Sequence, residues 1–113
     1  RRERLFIQRR REGAFQFMIE EKTYKIVYRK QFLEDIQLHK RAGRKSVLVK
    51  LAAIIEELKK HPMRGTGKPE PLIGDRRGQW SRRITAKHRL IYEIYEDVVT
   101  VDLINAAGHY GDK

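Results

Sequence analysis

The sequence contains no cysteine. Disulfide frameworks, thiolate zinc sites and cysteine nucleophiles are excluded together. The absence also fits a reducing compartment, so a cytoplasmic location is expected. Long apolar runs are missing too. The best stretch, Leu48 to Leu58, is interrupted by Lys50, Glu56 and Glu57. A spanning helix needs roughly 18 uninterrupted apolar residues, so no membrane partner is expected. The four histidines, His39, His61, His88 and His109, are scattered with no i, i+4 pair. No metal site is therefore expected, and His39 and His61 read as surface residues of helices. No Walker loop is present. The glycines of Gly65-Thr66-Gly67-Lys68 lack the required spacing and no strand precedes them, so no nucleotide cofactor is expected.

Acidic residues are in the minority: 15 Asp and Glu against 26 Lys and Arg over 113 residues, a net charge of +11. Such an excess on a chain of single-domain size points to a polyanionic partner, most often nucleic acid or the ribosome. At 40% apolar and 36% charged, the composition suits one globular core. Residues 1–17 hold six arginines and two glutamates, a local charge of +4. The chain starts at Arg1, and Met18 followed by Glu20, Glu21 and Lys22 reads as a plausible native start. Residues 1–22 are expected to be a basic appendage, native or non-native, and residues 23–113 the folded domain. No signal-peptide core follows the arginines.

Alternation of Tyr24, Ile26 and Tyr28 with Lys25 and Val27 predicts a strand. Gln31 to Ala42 carries Phe32, Leu33 and Ile36 on one face and predicts a short helix closed by Gly43. Ser46 to Lys60 predicts a longer helix. Val47, Leu48, Leu51, Ile54, Ile55 and Leu58 form its stripe, and His61-Pro62 stops it. Residues 63–79 hold four of the eight glycines and two of the three prolines, which predicts a long loop of functional interest. Strands are expected over Trp80 to Ile84, His88 to Tyr95 and Val98 to Asn105, joined by short turns. Consecutive helices exclude a doubly wound repeat. The expected fold is α+β: a two-helix hairpin on one face of a small, mostly antiparallel sheet, the other face open to a partner. In the second of these strands Arg89 falls on the open face with Ile91 and Glu93, opposite Leu90, Tyr92 and Ile94.

Acid–base cleavage of an RNA phosphodiester needs a base for the 2′-hydroxyl, an acid for the leaving oxygen and a cation for the charged phosphorane. Glu70 is held between Pro69 and Pro71, His109 follows Gly108 beyond the last strand, and Arg83 and Arg89 lie on neighbouring strands. Each is also a common kind of surface residue. Trp80 reads as a core anchor. Lys68, Arg76 and Arg77 read either as backbone contacts to RNA or as solvated loop charges.

Four motifs occur in order: Gly65-Thr66-Gly67-Lys68-Pro69-Glu70-Pro71-Leu72, Gly78-Gln79-Trp80-Ser81-Arg82-Arg83-Ile84, His88-Arg89-Leu90-Ile91-Tyr92 and Gly108-His109-Tyr110. Together, from about Tyr24 to Lys113, they resemble the YoeB/Txe-type toxins of the RelE superfamily. The resemblance implies a ribosome-dependent endoribonuclease that cuts mRNA in the A site and is neutralised by a cognate antitoxin. It places the general base on Glu70, the general acid on His109 and the phosphate-stabilising arginine on Arg89. Lys68, Arg83 and Tyr110 would bind RNA, the tyrosine by stacking on a base. The expected products are a 2′,3′-cyclic phosphate and a 5′-hydroxyl, formed without metal or cofactor. A homodimer is an allowed assembly. The chain continues past Tyr110 as Gly111-Asp112-Lys113, and residues 1–22 fall outside the pattern. A non-catalytic basic RNA- or ribosome-binding module is the alternative. A gyrase-inhibiting branch would lack the glutamate–histidine pair, and a free-standing ribonuclease would need no ribosome.

Overall fold

The computed structural model describes residues 23–107. The expected appendage, His109 and Tyr110 lie outside them. In chain order the elements are β1 (Lys25–Tyr28), α1 (Lys30–Arg41), α2 (Lys45–Leu58), β2 (Glu70–Pro71), a single 3-10 turn (Gly74–Arg76), β3 (Gln79–Arg83), β4 (Arg89–Tyr95) and β5 (Thr100–Asn105). The five strands form one sheet in the order β1-β5-β4-β3-β2. Only the β1–β5 pairing is parallel, which the intervening helices permit; the other pairings are antiparallel.

Both helices pack on one face of this sheet. Val47, Leu51, Ile54 and Leu58 of α2 are buried, at the three- and four-residue spacings the sequence shows. They meet Leu90 and Tyr92 of β4, Val101 and Leu103 of β5, and Phe32 of α1 in one core. Trp80 packs against its edge as expected of an anchor. Gly43 closes α1 at a φ of 70°, where its amide reaches back to the Lys40 carbonyl.

The structure corrects several expectations. Leu33, assigned to the buried face of α1, is 51% exposed. The buried positions of α1 are instead Phe32, Asp35 and His39. His39, expected on the surface, is fully buried, because its ring bonds to the main chain of Ala106. The loop 63–79 is not wholly irregular, since Glu70–Pro71 adds a fifth strand at the β3 edge. The last strand starts at Thr100 rather than Val98. Val98 is exposed, and Val99 takes a φ of 45°, outside strand geometry. Finally, the sheet face away from the helices is not bare. Ser81, Ile91 and Asp102 on that face are all buried.

Candidate functional site

Strand parity decides which side chains reach the face opposite the helices. On β3, Gln79, Ser81 and Arg83 point one way, and Trp80 and Arg82 the other. Register carries the division across the sheet. Glu70 pairs with Ser81, Ser81 with Ile91, and Arg83 with Arg89. Glu70, Arg83 and Arg89 therefore share one face, as the sequence leads one to expect of Arg89. From ordinary strand spacing the Glu70 and Arg89 α-carbons lie on the order of 12 Å apart, two strands across and two residues along. That gap suits a carboxylate and a guanidinium reaching opposite sides of one phosphodiester.

The same residues share one end of the sheet. The start of β2, the end of β3, the start of β4 and the end of β5 all lie there. Lys68 precedes Glu70 in an exposed turn with a φ of 51°, and the Gly67 carbonyl accepts the Arg83 amide at 2.8 Å. Glu70 and Arg83 are exposed, and Arg89 is half-buried. Glu70 and Pro71 also line, with Leu72, Ile73 and Arg76, a groove of about 250 Å³. The Ser81 hydroxyl, between Glu70 and Ile91 in register, is buried without a hydrogen-bond partner among the described residues. His109 and Tyr110 follow Ala107 at this end in the sequence, outside the described residues.

What closes the loop ahead of Glu70 is a residue outside the expected site set. Arg82 is fully buried on the helix side. A guanidinium has five N–H donors, and Arg82 meets five acceptors. Nε donates to the Tyr92 hydroxyl at 3.1 Å. Nη1 donates to Glu57 Oε1 at 2.7 Å and to the Thr66 carbonyl at 3.2 Å. Nη2 donates to the His61 and Arg64 carbonyls at 2.6 and 2.7 Å. Tyr92 in turn donates to the Pro62 carbonyl at 2.8 Å. The chain leaving α2 is thus wrapped around one cation. Burial raises the Glu57 pKa, but hydrogen bonds from Thr66 and Arg82 outweigh it and hold the carboxyl below its ordinary value.

This wrapping explains the paired glycines before Lys68. A Cβ on Gly65 would collide with the Glu57 carboxylate, and one on Gly67 would sit 2.6 Å from the Arg83 carbonyl oxygen. Their φ values, 124° and 87°, also favour glycine. The glycines let the loop close on Arg82 and deliver Lys68-Pro69-Glu70 to the sheet edge. The signal for Arg82 is present in the sequence, since it shares strand parity with Trp80 and Ile84, both core-facing. Among the described residues no group of three His, Asp or Glu side chains is arranged to hold a metal ion.

Two helices on one face of a small mixed sheet, with a carboxylate and arginines gathered on the other, define a small α+β domain. The family model described as "YoeB-like toxin of bacterial type II toxin-antitoxin system" matches residues 28–110. The curated "Toxin YoeB" of Mycobacterium bovis is 42% identical over 77 residues, covering 68% of this chain and 87% of that protein. Among solved structures, a "YoeB/ParE toxin from Agrobacterium tumefaciens" superposes with a TM-score of 0.70 at 36% identity, covering 76% of this chain and 99% of that one. A chain of a "YoeB-YefM complex from Staphylococcus aureus" gives a TM-score of 0.65 at 26% identity, covering 77% of this chain and 98% of that one. The chain belongs to the YoeB-like toxins of bacterial type II toxin–antitoxin systems.

Proposed function

We propose that this toxin is an endoribonuclease that cuts mRNA on the ribosome by acid–base chemistry through the RNA 2′-hydroxyl. The observation that carries the reading is the convergence of Glu70, Arg83 and Arg89 on one face, at the end of the sheet from which β5 leads to His109. Glu70 takes the 2′-hydroxyl proton. The 2′-oxygen attacks phosphorus, Arg89 holds the phosphorane oxygens bidentately, and His109 protonates the departing 5′-oxygen. The bond formed is O2′–P and the bond broken is P–O5′. A 2′,3′-cyclic phosphate and a 5′-hydroxyl result, and solvent restores both side chains to their starting protonation. Lys68, Arg83 and Tyr110 contact the RNA, the first two through phosphate and the last by stacking.

A lone carboxylate and a lone imidazole each contribute about 10²–10⁴ by proton transfer. That is modest unless the phosphodiester is already held in line for attack, and the ribosomal A site supplies such a hold. Free RNA is therefore cut slowly or not at all. The partners follow: the ribosome with its mRNA, and an antitoxin that brings acidic side chains to Arg83 and Arg89. The net charge of +11 equally suits a basic module that binds the ribosome without cleaving. Glu70→Gln and His109→Gln separate the two. Each is expected to lower single-turnover cleavage of ribosome-bound mRNA by about 10²–10⁴ while ribosome binding stays unchanged. Retention of the wild-type rate by both variants would remove the catalytic reading.

A further inference from the structure

One side of α1 carries a polar row that runs from exposed Gln31 to buried Asp35 and His39. Gln31, Asp35 and His39 recur every four residues and so share one face. Asp35 is 6% exposed and His39 not at all. Both are spent on a single residue, Ala106, just after β5 ends. Asp35 Oδ2 accepts the Ala106 amide at 2.8 Å. His39 Nε2 donates to the Ala106 carbonyl at 2.9 Å. The tautomer follows from the other ring nitrogen. Arg44 Nη1 faces His39 Nδ1 at 3.3 Å, and a guanidinium can only donate, so Nδ1 accepts and Nε2 carries the proton. Gln31 Nε2 donates to Asp35 Oδ1 at 2.9 Å, which fixes the carboxylate. The His39 ring also stands edge-on to His88, the residue before Arg89, with centroids 5.0 Å apart.

Burying a carboxylate and an imidazole costs free energy, and a chain merely leaving a sheet could satisfy its amide with water. Here α1 takes both polar main-chain groups of the residue where the chain departs towards His109. Two residues, Ala107 and Gly108, lie between Ala106 and His109, so three chain steps allow at most about 11 Å between the two α-carbons. The same imidazole touches His88, the residue just before β4 and Arg89.

We propose that Asp35 and His39 clamp Ala106 and are positioning residues for the acid His109, an inference that rests on His109 protonating the leaving oxygen. The clamp fixes where the C-terminal segment starts, and through His88 it ties that start to the strand that bears Arg89.

A double-mutant cycle tests it, using single-turnover cleavage of ribosome-bound mRNA at saturating ribosome alongside ribosome affinity. In the wild-type background His39→Leu is expected to lower the cleavage rate by about 10- to 100-fold, the cost of misplacing a catalytic group by about 1 Å, with affinity unchanged. His39→Gln, whose amide can still donate to the Ala106 carbonyl, recovers most of the rate. In the His109→Gln background His39→Leu has no further effect, because the group it positions is gone. Multiplicative losses in that background, or a wild-type rate for folded His39→Leu, would overturn the clamp. Should His39→Leu not fold, Asp35→Ala, which removes the acceptor of the Ala106 amide, goes through the same cycle: a loss confined to the His109 background supports the clamp, and a multiplicative loss or a wild-type rate overturns it. A His109→Gln variant as active as wild type would instead defeat the mechanism itself, and the positioning role with it.

Discussion

Arg82 and Arg83 are neighbours on one strand with opposite fates. Arg82 points to the helices, is fully buried and spends every donor on its own chain. Arg83 points the other way, is exposed and sits across from Arg89. One cation closes the loop that leads to Glu70, and the next lies on the exposed face that the proposed mechanism uses. In a chain this basic, then, the count of arginines says little about which of them face outward. Strand parity says more.

The comparison breaks most visibly if the inner arginine is removed. Arg82→Ala leaves Glu57 and four carbonyl or hydroxyl acceptors without their donor, and is expected to destabilise the fold by about 3–5 kcal/mol. Arg83→Ala should change stability by no more than about 0.5 kcal/mol. Chemical denaturation measures both. For function the order reverses, since Arg83→Ala should weaken binding to mRNA-programmed ribosomes and flatten its salt dependence. Equal destabilisation by the two variants would erase the distinction.

A smaller effect tests the loop. Gly67→Ala forces a side chain against the Arg83 carbonyl at an unfavourable φ and should cost about 1–3 kcal/mol. Gly74→Ala meets no atom within 4 Å and carries only the backbone strain of its φ of 68°. Thermal unfolding of the two variants should place Gly67→Ala below Gly74→Ala.

The smallest effects are in pH. Glu57 has its folded pKa held below the ordinary value of 4.5. Its contribution is complete above the unfolded value and is lost as pH falls through the folded one, because the unfolded chain then binds more protons. At the other extreme, a hydrogen bond to Glu96, helped by burial, pushes the Tyr24 hydroxyl up to about 12 from 10.0. The folded chain keeps a proton that the unfolded chain sheds, so stability falls as pH rises from about 10 to about 12. Tyr24→Phe should remove that alkaline slope, and Glu57→Gln the acid one, in denaturation curves taken across pH.

Much of this is legible in the sequence. The stripe of α2 and the alternation in β3 and β4 encode a buried face directly, so those elements and the facing of Arg89 follow from spacing alone. Glu70–Pro71 reads as loop because two residues, one a proline and the pair preceded by Pro69, carry no alternation. Its strand pairing is made with Ser81 and Trp80 of β3, further along the chain, which local alternation does not show. The burial of His39 is invisible to local periodicity because its partner is a main-chain carbonyl 67 residues away. Leu33 escapes the pattern because α1 buries a polar row where the apolar spacing points to a neighbouring face.

In the proposed mechanism the RNA supplies its own nucleophile. End-group analysis of cleavage on ribosomes programmed with mRNA carrying a single 2′-deoxy nucleotide at the cut site tests it most directly. The account predicts no cleavage of that substrate, and a 2′,3′-cyclic phosphate with a 5′-hydroxyl from the unmodified one. Efficient cutting of the deoxy substrate, or a product bearing a 5′-phosphate, would contradict it.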